Sequence, residues 1–369
     1  MTNKIFISTG GSGGHVIPAK ILYEHLSKKN ELFISSDKRG YRFLDEDIHK
    51  IEIIDTPRLN NIFLLPLNFF IIFFLTIKSF FLLKEKKINI LFSTGGYMSL
   101  PLVIAAKILD LKIYLLEPNF VLGRANRFFL KSCKKILCYT KQIKNFPKKF
   151  NNKIELIYPL VGKNYYETVN VNNKNKFNIL VIGGSQGAEI FDRGLKDKLV
   201  NLSKDFSIKI IQQTSKKNIS NLTEYYSKNN IENIIFDYEK NLINKISETD
   251  LCITRAGASS LAELSIMQIP FIAIPLPTSK DNHQFENASF YKKQECCWII
   301  EQSFFEEEIE QVLRNIVKNK IELMESNERK YFEDKMEIEA NIGCCLRSLA
   351  YSFLILRLRT AISSIKPIE

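Results

Sequence analysis

The sequence predicts an α/β protein built from two Rossmann-like, doubly wound parallel-sheet domains facing each other across a cleft. The first observation behind this is a glycine phrase written twice, each time straight after an apolar strand. Gly10-Gly11-Ser12-Gly13-Gly14-His15 follows Ile5-Phe6-Ile7-Ser8-Thr9, and Gly183-Gly184-Ser185-Gln186-Gly187-Ala188 follows Ile179-Leu180-Val181-Ile182. The second is the alternation of apolar strands with helical stretches through both halves, which is the rhythm of a parallel sheet. The third is length, since 369 residues suffice for two separate cores. A strand, a loop nearly bare of side chains and then a helix bring unshielded N–H groups to a helix N-terminus, where phosphate binds well.

Taken in order, the first half should hold strands at Ile5–Ser8, Leu32–Ser35, Ile90–Ser93, Ile113–Leu116 and Lys135–Tyr139. Helices are expected at Pro18–Lys28 and Pro101–Leu109. The second half repeats the pattern, with strands at Ile179–Ile182, Ile208–Gln212, Ile234–Phe236, Leu251–Thr254 and Phe271–Pro275 and a helix at Ser260–Met267. A polar, Asn- and Lys-rich stretch at Glu167–Lys176 reads as the hinge. The domains are therefore expected at 1–165 and 166–340, followed by a helical tail at 341–369.

Ile62–Leu83 interrupts the rhythm with an apolar run long enough to span a bilayer. It lies between strands of one sheet, which could not close around a membrane span. Projected as a helix, Asn68, Thr76, Lys78 and Ser79 share an arc of roughly 160°, together with Ile72 and Leu75. The expectation is a helix packed on the domain with a greasy outer face. With Lys84, Lys86 and Lys87 it suits an anionic membrane surface, and a buried core helix is the plainer alternative.

Composition narrows the function classes. With 45% hydrophobic and 25% charged residues the chain is ordinary globular material. Its formal charge of +12 admits nucleic acid, an anionic membrane or a phosphorylated substrate, and decides among none of them. Seven cysteines include no Cys-x-x-Cys pair, and the four histidines fall outside metal-ligand spacing. Met1 to Asn3 lead straight into the first strand, so a reduced, intracellular protein without secretory signal or structural metal is expected. Val16 stands where a dinucleotide fingerprint needs its third glycine, and neither loop continues into Gly-Lys-Ser/Thr. Asp45-Glu46-Asp47 has the Asp-x-Asp form that can hold a cation, but its charged setting reads as a solvated helix face.

Several strings, in order and at compatible spacing over roughly residues 4 to 302, resemble the MurG family of lipid-linked N-acetylglucosaminyltransferases. They are Gly10 to Ala19, Ser93-Thr94-Gly95-Gly96-Tyr97-x-Ser99-x-Pro101, Glu117-Pro118-Asn119, Gly183 to Ala188, Arg255-Ala256-Gly257-Ala258-Ser259-Ser260-Leu261-Ala262-Glu263, and Asp281-x-His283-Gln284-x-x-Asn287-Ala288. The resemblance implies a GT-B enzyme of peptidoglycan synthesis, needing no metal and no cofactor, on the cytoplasmic side of the bacterial inner membrane. UDP-N-acetylglucosamine is the implied donor and an undecaprenyl-linked lipid the acceptor. An anionic membrane surface and other cell-wall synthesis enzymes are implied partners, and nucleic acid is not.

The same resemblance implies site residues. Ala258, Ser259, Ser260, Leu261 and Ala262 open a helix toward the donor diphosphate, and Ser185 reaches for the same nucleotide. Glu263 accepts the ribose hydroxyls, or is a surface acid favoured by the helix dipole. His283 and Gln284 contact the donor sugar, or cap a turn. Ser12, Gly13 and Gly14 with Thr94, Gly95, Gly96 and Tyr97 cradle the acceptor diphosphate; Ser12, Gly13, Gly14 and Asn119 also join the donor-contacting set. His15 is the expected general base, with phosphate contact and packing against the turn as its other roles. Glu117 is a second base or acceptor orienter, or a helix cap.

Departures accompany the match. Tyr158-Pro159-Leu160-Val161 stands where the family carries Asn-Pro-x-Arg, and Lys163 lacks the planar fork of the missing arginine. Gln212-Gln213 replaces a His-Gln pair. A GT-B enzyme with another acceptor, a UDP-sugar 2-epimerase and a non-catalytic UDP-sugar- or lipid-binding scaffold are the rival readings.

Overall fold

The structure, a computed structural model, describes residues 3–58, 62–168, 176–183, 189–239 and 241–325. The chain divides into two compact units between Val161 and Gly162. Much of the expected hinge, the core of the second glycine loop and the tail at 341–369 lie outside the described residues.

The first unit is a seven-stranded parallel sheet of β1 (Lys4–Ser8), β2 (Glu31–Ser36), β3 (Ile51–Ile53), β4 (Ile90–Ser93), β5 (Lys112–Glu117), β6 (Lys135–Cys138) and β7 (Ile154–Leu156), ordered β3-β2-β1-β4-β5-β6-β7. Its strands are buried on both faces: Ile5 and Ile7 enter one apolar cluster and Phe6 the other. Its helices are α1 (Gly13–Leu26), α2 (Lys38–Tyr41), α3 (Leu65–Glu85), α4 (Leu100–Ile108) and α5 (Arg124–Phe129).

The second unit carries β8 (Phe177–Ile182), β9 (Ile208–Gln213), β10 (Glu232–Phe236), β11 (Leu251–Thr254), β12 (Phe271–Ala273) and β13 (Cys297–Ile299), all parallel in the order β10-β9-β8-β11-β12-β13. Around them lie α6 (Asn164–Glu167), α7 (Glu189–Gly194), α8 (Lys196–Ser203), α9 (Ile219–Lys228), α10 (Leu242–Ser247), α11 (Ala258–Ile266), α12 (His283–Lys292) and α13 (Phe305–Glu325). Phe305 of α13 packs on Phe191 of α7 with ring centres 5.8 Å apart. Lys320 reaches back to Asp250 at 2.9 Å, while the other oxygen of that carboxylate accepts from the Asn178 N–H at 2.8 Å.

Two expectations need correction. The first helix starts at Gly13, five residues before Pro18, and the proline sits inside it. Asp45-Glu46-Asp47 is a turn, not a helix face: the Asp47 N–H donates to Asp45 Oδ1 at 3.1 Å. Among the described residues no group of three His, Cys, Asp or Glu side chains could hold a metal ion.

The helix α3 is amphipathic the opposite way round from a soluble one. Its inward stripe is Asn68, Ile72, Thr76, Ser79 and Leu83, each one turn from the last. Asn68 Nδ2 donates to the Arg58 carbonyl at 3.1 Å, and Thr76 Oγ1 to the Ile72 carbonyl at 2.8 Å. Phe69, Phe70, Phe73, Phe74 and Phe81 face outward, every one more than half exposed. Lys78, expected on the polar arc, is exposed too, because that arc faces the unit and an ammonium there would lose its water. Phe80 packs partly against the core.

Candidate active site

In each unit the strand order reverses at one place, between β1 and β4 in the first and between β8 and β11 in the second. Loops leaving the carboxyl ends of such neighbouring strands diverge, and the crevice they open is where α/β sheets bind ligands. The expected site residues fall on the loops after these strands, on the loop after β5, and at the start of α12.

After β1 the chain must turn without side-chain bulk. Gly10 and Gly11 have φ of 150° and 80°, and Gly95 and Gly96 after β4 have 81° and 79°, values that non-glycine residues seldom adopt. A Cβ on Gly96 would also come within 2.2 Å of Met98 Sδ. Ser12 is the N-cap of α1 without using its side chain, and Gly13 and Gly14 are the first helical residues. Their N–H groups therefore have no intrahelical acceptor.

His15 lies half-buried one residue further on, and Nδ1 is 2.8 Å from the Thr94 carbonyl oxygen. A carbonyl only accepts, so Nδ1 carries the proton and Nε2 is the basic nitrogen of the neutral ring. A Cβ on Gly96 would lie 3.6 Å from that Nε2, which places it at the second glycine turn. Thr94 itself is turned inward: it is 1% exposed and its hydroxyl donates to Thr9 Oγ1 at 2.8 Å. Its part in the site is the carbonyl that holds His15.

Glu117 ends β5 with 3% exposure. Oε1 accepts from Asn119 N at 3.2 Å and Asn119 Nδ2 at 3.1 Å; Oε2 accepts from Gly123 N at 2.7 Å and Asn126 Nδ2 at 3.0 Å. Burial raises its pKa against the pull of these donors. The carboxylate spans the loop from β5 to α5 and sets Asn119 in place. Asn126 escaped the sequence reading altogether. It is 2% exposed, and its Oδ1 has no hydrogen-bond partner among the described residues and sits 3.1 Å from where a Cβ on Gly95 would stand.

Asp37 and Arg39, also missed, flank the first glycine turn. Asp37 Oδ1 accepts from Gly11 N at 2.7 Å and Gly40 N at 2.9 Å. A Cβ on Gly40 would approach Gly10 Cα to 2.9 Å, so this segment packs directly on the loop.

In the second unit, β11 passes through Arg255 to Gly257, the N-cap of α11, with Ala258, Ser259 and Ser260 as the first turn. No side chain caps this end, which leaves its N–H groups for a ligand. Leu261 and Ala262, at 0% and 1% exposure, turn their side chains into the core. Leu261 N already donates to the Gly257 carbonyl at 3.0 Å. Arg255 is a structural clamp, bonding the Ile274 carbonyl at 3.2 Å and Gln302 Oε1 at 2.8 Å.

Glu263, in the second turn of α11, is half-buried. Burial raises its pKa from the usual 4.5 to about 7, although the Tyr165 hydroxyl donates to it and pulls the other way. Tyr165, on α6 and 8% exposed, is a further residue that the sequence reading passed over. Gln284 Oε1 accepts from Leu276 N at 2.9 Å, tying the start of α12 to the loop after β12. His283 Nδ1 donates to the Lys280 carbonyl at 2.8 Å. The turn before them has both Asp281 and Asn282 left-handed, with φ of 53° and 55°. Asn287, fully buried, donates to the Ala256 carbonyl at 3.1 Å and so couples the two loops. Ser185 lies outside the described residues.

The departures are accounted for locally. Val161 is fully buried in the first unit. Lys163 pairs with Glu167 at 3.0 Å in solvent. Gln212 is locked between Asp192 at 3.0 Å and the Tyr226 hydroxyl at 2.9 Å.

The sequence matches the N-terminal domain model of glycosyltransferase family 28 over residues 5–138 and the C-terminal domain model over residues 178–340. A Pelagibacter ubique (strain HTCC1062) protein named UDP-N-acetylglucosamine--N-acetylmuramyl-(pentapeptide) pyrophosphoryl-undecaprenol N-acetylglucosamine transferase is 47% identical over 327 residues. The match covers 88% of this chain and 92% of that protein. A protein of the same name from Rickettsia canadensis (strain McKiel) is 34% identical over 308 residues, or 81% of this chain and 86% of its own length. The crystal structure of Acinetobacter baumannii MurG shares the fold, with a TM-score of 0.68 at 22% identity over 87% of this chain and 91% of that one. With both family models in chain order and near-half identity across almost the whole of a relative, this chain belongs to glycosyltransferase family 28 and, within it, to the MurG family.

Proposed function

We propose that the chain moves N-acetylglucosamine from UDP-N-acetylglucosamine to the muramoyl-pentapeptide carried on undecaprenyl diphosphate, with inversion, forming a β-1,4 bond. The substrates come from the name of the Pelagibacter relative. The observation that carries the chemistry is the second unit's switch point, where α11 opens uncapped at Gly257 and presents Glu263 in its second turn. The N–H groups of Ala258, Ser259 and Ser260 take the donor diphosphate, Glu263 takes the ribose hydroxyls, and Ser185, His283 and Gln284 complete the donor site. Gly13 and Gly14 of α1, with Gly95, Gly96 and Tyr97, hold the acceptor diphosphate, and Asn119, set by Glu117, bonds substrate.

The acceptor hydroxyl oxygen attacks the anomeric carbon as its proton passes to His15 Nε2. The sugar–phosphate bond breaks and its electron pair leaves on UDP. Prearranged N–H groups at the α11 terminus stabilise that charge, and such donors are typically worth about 10²–10³ in rate each. Glu117 acts through Asn119 in this reading, because both its oxygens already accept two bonds. The test is labelled UDP-N-acetylglucosamine with a short-chain lipid acceptor. Label should appear on the lipid; label found only in free sugar would point to an epimerase or hydrolase instead.

The outward face of α3 supports docking on the cytoplasmic face of the inner membrane. Phe69, Phe70, Phe73 and Phe74 are exposed on a helix whose uncharged polar side chains Asn68, Thr76 and Ser79 are turned in, a pattern that costs free energy in water and is relieved by lipid. Replacing Phe70, Phe73 and Phe74 with serine should lower partitioning onto anionic vesicles by tenfold or more, at roughly 1.5–3 kcal/mol per buried phenylalanine. Transfer to a water-soluble acceptor should be unchanged. Undiminished vesicle flotation of the triple variant would end the docking idea.

A further inference from the structure

The two glycine turns of the first unit are joined by a side-chain bridge belonging to neither. Asp37, at 1% exposure, uses Oδ1 for the N–H groups of Gly11 and Gly40, at 2.7 and 2.9 Å, and Oδ2 for Arg39 Nε and Nη2, at 3.0 and 2.7 Å. Arg39 Nη2 continues to the Tyr97 hydroxyl, and the guanidinium carbon stands 5.7 Å from the centre of the Tyr97 ring. A Cβ on Gly11 would lie 3.7 Å from Nη2. One arginine therefore bonds the second turn at Tyr97 and stands beside the first, while its side chain stays 41% exposed.

A bridge of this kind has two possible purposes. It could merely brace the loops, but a brace between a backbone N–H and a phenol needs no cation. Guanidinium has five N–H donors in a fixed fork; one edge is spent on Asp37 and Tyr97, and the Nη1 edge suits a second oxyanion. The buried carboxylate also fixes the side chain in advance, which reduces the ordering cost of binding. We propose that Arg39 is an acceptor-binding residue, held by Asp37 between the two glycine turns so that its guanidinium bonds an anionic oxygen of the lipid-linked diphosphate. This rests on the reading that these turns hold that diphosphate.

The experiment compares wild type with Arg39→Lys and Arg39→Gln, both of which keep a donor for Asp37 and so preserve the fold. Acceptor KM, donor KM and inhibition by inorganic diphosphate are measured in each. In wild type, diphosphate should compete with the acceptor. In both variants acceptor KM and the inhibition constant for diphosphate should rise together, about ten- to a hundredfold for the loss of a charge-assisted bond, with donor KM within about twofold. Lysine should not restore binding, since it cannot serve carboxylate, phenol and phosphate at once. Undiminished competition by diphosphate in the variants would overturn the assignment of Arg39 alone. Lack of competition in wild type would remove the reading of the glycine turns and this proposal with it.

Discussion

Replacing His15 with alanine should lower kcat by about 10²–10⁴, the usual worth of a positioned general base, while changing the KM for either substrate only a few-fold. The expectation follows from one hydrogen bond. The Thr94 carbonyl, 2.8 Å from Nδ1, forces the ring proton to that side and leaves Nε2 as the basic nitrogen. Thr94 is itself fixed by its N–H to the Ser8 carbonyl at 3.1 Å and by Thr9, so the imidazole is aimed by the sheet rather than by a mobile loop. A histidine that only contacted phosphate would give the opposite split, with acceptor KM rising and kcat nearly intact. Steady-state kinetics with the acceptor varied at saturating donor separates the two. His15→Gln sharpens the test, because a glutamine can hydrogen-bond phosphate but cannot take a proton; recovery of rate in that variant would exclude the base role.

What could be read from the sequence were the features that backbone geometry imposes on residue choice. Positive φ at Gly10, Gly11, Gly95 and Gly96 demands glycine, so both turns of the first unit stood out. Long apolar strands such as Phe177–Ile182 did so through burial on both faces. The three-residue strands Ile51–Ile53, Ile154–Leu156 and Cys297–Ile299 did not, because each lies at the edge of its sheet and is only partly buried, whereas the equally short Phe271–Ala273 is interior, fully buried and legible. Pro18 misled because proline commonly opens a helix; here the glycines before it are already helical.

The residues that hold the site together were the hardest to see. Asp37, Arg39, Asn126 and Tyr165 act on partners 26, 58, 9 and almost a hundred positions away. Nothing in local spacing marks such pairs. Glu117 was visible as a motif residue, but only its four donors show why a carboxylate is needed there. Leu261 and Ala262 illustrate the converse: a motif string includes framework residues whose side chains turn into the core.

Changing Glu263 should affect donor binding and its pH dependence more than turnover. Burial lifts the carboxyl from 4.5 to about 7, with the Tyr165 hydroxyl opposing. Only the ionised form can accept from both ribose hydroxyls, so donor KM should fall as pH rises through about 7 and level off above it. Stability carries the other sign. A carboxyl whose folded pKa is raised binds its proton more tightly in the native state, so its contribution is present below the ordinary 4.5 and is lost as pH rises through about 7. The unliganded protein should therefore lose melting temperature from about pH 4.5 to about pH 7 and level off above, over the same window in which UDP-N-acetylglucosamine binds better and restores it. Glu263→Gln should flatten both trends and raise donor KM about tenfold, and Glu263→Ala about a hundredfold, as expected for one or two charge-assisted hydrogen bonds. Tyr165→Phe, which removes the donor to the carboxyl, should move the inflection in donor KM to higher pH. A donor KM that stays flat across this range in wild type, or a Gln variant that keeps the wild-type profile, would show that another group sets the ribose contact.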